Sequence, residues 1–65
     1  MLLKDLLTVL RPEDKIAVYD RFHRLLVIDV IEDLPYYMTQ APVDCLYYST
    51  FHMCQAVKLK IGKFE

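Results

Sequence analysis

Residues 53 to 61 alternate without a break: Met53, Gln55, Val57, Leu59 and Ile61 fall on one side of an extended chain, Cys54, Ala56, Lys58 and Lys60 on the other. A period of two marks a half-buried strand and does not fit the 3.6-residue period of a helix. The same period recurs at residues 15–20, where Ile16 and Val18 oppose Lys15, Ala17 and Tyr19. It recurs again at 43–49, where Val43, Cys45 and Tyr47 oppose Asp44, Leu46 and Tyr48. Residues 24–31 include the β-branched run Leu25 to Ile31, with Asp29 as its one charge, and follow the polar turn Asp20–Arg24. Apolar on both faces, that run reads as a central strand or as one buried against a partner chain. These runs predict two hairpins, 15–20 with 24–31 and 43–49 with 53–61.

Helical periodicity appears once clearly. Leu2, Leu3, Leu6, Leu7 and Leu10 recur at spacings of three and four, predicting a helix over 2–10 that Arg11-Pro12 ends. A short helix over 34–40 is expected between the hairpins, with Asp33 near its N-cap and Pro35 near its first turn. The fold class is α+β: an N-terminal helix on an antiparallel sheet of about four strands, with a short helix between two hairpins. Residues 1–65 form one domain, and 62–65 read as a loose tail. Lys58 and Lys60 read as guards against edge-to-edge association.

Composition narrows the function classes. A chain of 65 residues that is 55% hydrophobic is not intrinsically disordered, yet at this size it buries only about 60% of its unfolded surface, so self-association is a ready source of further stability. A net charge of −1 gives no general grip on DNA or RNA and no acidic nucleic-acid mimic. The start Met1–Leu7 carries Lys4 and Asp5 and does not read as a signal peptide, and the longest uncharged apolar run, Leu25 to Ile28, is far too short to cross a membrane. A cytoplasmic protein with two reduced thiols is expected.

Cys45, His52 and Cys54 are zinc-ligand types, but their spacing lacks the paired knuckles of a structural site, and alternation places Cys45 inward and Cys54 outward. No metal or cofactor is expected. Cys54 with His52, or Cys45 with His23, has the composition of a nucleophile and base. With Gly62 as the chain's only glycine, however, there is no oxyanion or phosphate-cradling loop, and no enzyme activity is expected. The aromatic residues are more informative. Adjacent aromatics on a strand point to opposite faces, so one of Tyr47 and Tyr48 turns away from the core. Tyr36, Tyr37, Tyr48, Phe51 and His52, with Arg21, His23 and Arg24 from the hairpin turn, are the candidate ligand-binding surface: rings to stack on and arginines for phosphates.

The succession of Leu3–Leu10, Lys15–Asp20, a polar turn, Asp33-Leu34-Pro35 and a second hairpin resembles small bacteriophage and mobile-element counter-defence proteins. The resemblance covers most of the chain, and its motifs are structural. It implies either a homo-oligomeric sponge for a nucleotide immune signal, such as an ADP-ribose derivative or a cyclic nucleotide, or an anti-CRISPR-type inhibitor that occludes a host defence protein. Both would act in the cytoplasm of an infected bacterial host.

Overall fold

A computed structural model describes residues 1–62. In chain order it contains α1 (Leu3–Leu7), β1 (Lys15–Tyr19), β2 (Leu25–Val30), two 3₁₀ turns (Ile31–Asp33 and Tyr36–Gln40), β3 (Val43–Ser49) and β4 (Cys54–Leu59). The strands form one sheet in the order β2-β1-β4-β3. Both hairpins are antiparallel, as expected, but the central pair β1–β4 is parallel, from Ile16 opposite Gln55 to Tyr19 opposite Lys58. The sheet is therefore mixed within an α+β fold. The reason lies in the connection: residues 31–42 run from one edge of the sheet to the other, which brings β4 beside β1 in the same direction.

That connection and α1 cover one face. Ile16 and Val18 of β1 and Val57 and Leu59 of β4 meet Leu3 and Leu6 of α1 and Leu34, Met38 and Ala41 of the connection. The alternation read from the sequence thus aims the intended residues inward.

The helix is shorter than its leucine pattern. The Asp5 carboxylate accepts the Leu2 N–H at 3.0 Å, and the Thr8 hydroxyl donates to the Asp5 carbonyl at 2.7 Å. Val9 and Leu10 then bond three residues back, to Leu6 and Leu7, so the last turn is 3₁₀-like. So short a helix has little stability of its own; Leu3 and Leu6 pack it in place, and Leu3 N–H donates to the Ala41 carbonyl at 2.8 Å.

Other local expectations are corrected. The segment 34–40 is a 3₁₀ turn that starts after Pro35, while Asp33 closes the preceding turn. The strand β2 lies at an edge, not the centre. The central places belong to β1 and β4, whose Ala17 and Ala56 are buried on the second face beneath side chains of the sheet itself. A register slip between Val43 and Cys45 sends Val43 to the main core and leaves Cys45 exposed, while Cys54, expected outside, is buried beside Ala17 and Ala56. Because β4 is central, Lys58 guards no edge and instead lies 4.0 Å from Asp44. Of the expected tail, Gly62 is tied down, its carbonyl accepting the Arg24 guanidinium at 3.2 Å; residues 63–65 lie outside the described residues. Among the described residues no helix is long and apolar enough to cross a membrane.

Candidate functional site

Among the described residues no helix or turn covers the second face of the sheet. Its floor is Ala17, Cys54 and Ala56, and Tyr19, Ile28 and Tyr47 lie against them. Period two places Tyr19 on the same face as Ala17, and the β3–β4 register sets Tyr47 opposite Ala56. Ala17 and Ala56 face each other across the central parallel pair and are fully buried. Two adjacent alanines leave a shallow trough in the sheet surface, and aromatic rings fill it.

Each hairpin turn adds an imidazole. The β1–β2 turn is organised by Asp20, whose carboxylate is 1% exposed and accepts the Phe22 N–H at 2.9 Å, the Arg24 N–H at 2.9 Å and Arg24 Nε at 2.8 Å. His23 takes the left-handed conformation (φ 62°) within this turn, and its ring stacks on Tyr19 with centroids 4.7 Å apart and planes 8° apart. Burial opposes ionisation of Asp20, but the Arg24 N–H, the Arg24 guanidinium and the Phe22 N–H outweigh it and hold the carboxyl below the ordinary aspartate value. In the β3–β4 turn the Ser49 hydroxyl accepts the His52 N–H at 3.2 Å, and His52 Nε2 is hydrogen-bonded to the Tyr19 hydroxyl.

The result is one aromatic surface. Tyr47 lies 6.5 Å from Tyr19 and 6.2 Å from His23, with His52 5.9 Å from Tyr19. Phe51 meets His52 edge-on at 4.9 Å and is 89% exposed. Burial, then the neighbouring Tyr19 and Cys45, raises the Tyr47 hydroxyl above its ordinary value.

Of the residues expected to bind ligand, His23, Phe51 and His52 meet here. Arg21 and Arg24 stand beside them on the β1–β2 turn, their guanidinium groups 5.1 and 5.2 Å from the Phe22 ring. Gly62 permits that arrangement, since a Cβ there would lie 2.6 Å from the Phe22 ring. Tyr48 turns to the opposite face, where it lines an open cleft of about 310 Å³ with Leu10, Asp14, Lys15, Met53 and Gln55. Tyr36 and Tyr37 sit on the second 3₁₀ turn, in the connection whose Met38 packs into the main core on the other face of the sheet. Tyr19 and Tyr47, the centre of the surface, were not among the expected residues. The signal for them was the pair of alanines, at 17 and 56, inside otherwise β-branched strands.

Among the described residues no three His, Cys, Asp or Glu side chains converge to hold a metal. Cys45 and Cys54 are both free thiols, one exposed and one buried. What the surface offers is flat π-faces, two imidazoles and an adjacent basic corner. No protein-family model, curated protein or solved structure matches the chain.

Proposed function

We propose that this chain is a small non-enzymatic binding protein that stacks the base of a nucleotide on the face formed by Tyr19, His23, Tyr47 and His52. The observation that carries this reading is the cluster itself: four rings, neighbouring centroids 4.7 to 6.5 Å apart, on a sheet face that no helix among the described residues covers. Sheet-borne aromatics of this kind bind bases at about 1–3 kcal/mol per stacked ring. Arg21 and the outer nitrogens of Arg24 supply phosphate contacts at one end. The net charge of −1 suits a single nucleotide better than a polymer.

With the resemblance to counter-defence proteins, the ligand is a nucleotide immune signal, an ADP-ribose derivative or a cyclic nucleotide, sequestered unchanged by a homo-oligomer in the cytoplasm of an infected bacterial host. Apolar surface outside the cluster supports a second reading, an inhibitor that docks on a host defence protein: Leu25 is 46% exposed and Met53 74%.

Thermal unfolding and calorimetry with ADP-ribose and with cyclic di- and mononucleotides test the first reading. A ligand at a hundred times its Kd stabilises by about 2.7 kcal/mol, and Tyr47→Ala should abolish the shift while Tyr48→Ala preserves it. The bound ligand should be released intact on denaturation. No stabilisation at millimolar nucleotide, with a large protein co-purifying, favours the inhibitor instead.

A further inference from the structure

Among the described residues no strand pairs with the outer side of β2, and the two edges of the sheet differ. On the β3 edge, Pro42 precedes the strand, the register slips at Asp44, and Val43 N–H donates to the Met1 carbonyl at 2.8 Å. The edge formed by β2 carries no proline and no lysine; its sequence is Leu-Leu-Val-Ile-Asp-Val. A strand of that composition is a template for adding another strand.

Ile31 N–H donates to the Asp14 carbonyl at 2.9 Å, and hydrogen-bonded pairs alternate along an antiparallel ladder. Asp29 opposite Ile16 and Val27 opposite Val18 therefore face β1, and Ile28 and Val30 turn their N–H and C=O groups outward. Nearer the turn the register slips, leaving Leu26 without an opposite residue. The regular outer edge is thus short: Ile28 and Val30.

One of its two donors is occupied. The Asp29 carboxylate accepts the Val30 N–H at 2.7 Å. Asp29 is exposed, and among the described residues it has no ion-pair partner and no hydrogen bond other than this one.

We propose that the outer edge of β2 is a docking edge for β2 of a second copy of this chain, and that Asp29 holds it shut by occupying the Val30 N–H. A second copy is the matching occupant because the edge is self-complementary about Ile28. In an antiparallel pair centred there, Ile28 exchanges two hydrogen bonds with its counterpart, Val30 falls opposite the second Leu26, and Asp29 falls opposite the second Val27, so no like charges meet. The pairing needs Val30 N–H, which the carboxylate must first surrender.

Sedimentation of the full chain tests this with two variants of equal net charge. Asp29→Ala removes the acceptor; Asp29→Asn keeps an amide oxygen in its place. Asp29→Ala frees the Val30 N–H of both copies, so it should lower the concentration of half-association by about thirtyfold, the worth of two hydrogen bonds of ordinary net strength, and should slow exchange of the Ile28 amide hydrogen. Asp29→Asn should sediment as the unsubstituted chain does, and circular dichroism should show both variants folded. Equal association of the two variants would assign the effect to charge and overturn the proposal, as would no association by either. Neither result depends on nucleotide binding, so this proposal and the nucleotide reading stand or fall separately.

Discussion

Replacing Ala56 with valine separates two accounts of the open sheet face. Valine has the higher strand propensity, worth up to about 1 kcal/mol on an ordinary strand, so a face that merely meets solvent predicts a neutral or stabilising change. Here Ala56 is fully buried under Tyr19 and Tyr47. Two added methyl groups must lift a ring or strain a rotamer, at about 1–3 kcal/mol. The net expectation is a loss of about 1–2 kcal/mol from a total of about 3–10 kcal/mol for a chain of this length. Urea unfolding followed by far-ultraviolet circular dichroism, with an m-value of about 1 kcal/mol/M, should show the midpoint fall by about 1–2 M. The near-ultraviolet tyrosine signal should weaken with it. A midpoint that is unchanged or higher, with the tyrosine signal intact, would refute the claim that the alanines seat the rings.

Three further outcomes follow from single residues. Since the Asp20 carboxyl sits below its unfolded value, its contribution to stability is fully present above about pH 4 and is lost as pH falls through the folded value; stability of Asp20→Asn should show a shallower acid slope in urea titrations at pH 2–5. For Tyr47 the sign is the reverse: its raised value stabilises the fold below about pH 10, and this is lost at higher pH. Spectrophotometric titration should show a tyrosine ionising above the ordinary tyrosine value, and Tyr47→Phe should remove it. Met53 holds a left-handed conformation, φ 58°, with its side chain in solvent, so Met53→Gly should be neutral or stabilise by up to about 1 kcal/mol in urea unfolding. His23→Gly, which relieves the same conformation but removes the stack on Tyr19, should destabilise instead.

The strands were legible because their information is local. Ile16 and Val18, or Val57 and Leu59, point inward by parity alone, and parity survives folding. The parallel central pair was not legible, because strand order depends on where residues 31–42 cross, and Leu34 and Met38 say only that the segment is buried. The position of β2 was misread for a related reason: Leu25 to Ile31 is the most apolar run, whereas the central strands carry alanine on their second face. Half of the site could be read from its turns, where His23 and His52 stand near charged or aromatic neighbours. Its centre was only half in view: Tyr47 is one of two adjacent tyrosines on β3, but Tyr19 lies on β1 and meets it only across the intervening β4. Tyr48 was expected to face outward because parity counted from Val43 sets Cys45 and Tyr47 inward; the register slip between Val43 and Cys45 reverses that parity and puts Tyr47 in the cluster instead.

The central claim, that the Tyr19–His23–Tyr47–His52 face is a base-stacking surface, is tested most directly by nuclear magnetic resonance of the tyrosine and histidine ring signals during titration with ADP-ribose. Ring-current shifts confined to Tyr19, Tyr47, His23 and His52, with Tyr36 and Tyr48 unmoved, are the predicted result. Ring signals on that face that stay still while Tyr48 responds, or no response at millimolar ligand, would contradict it.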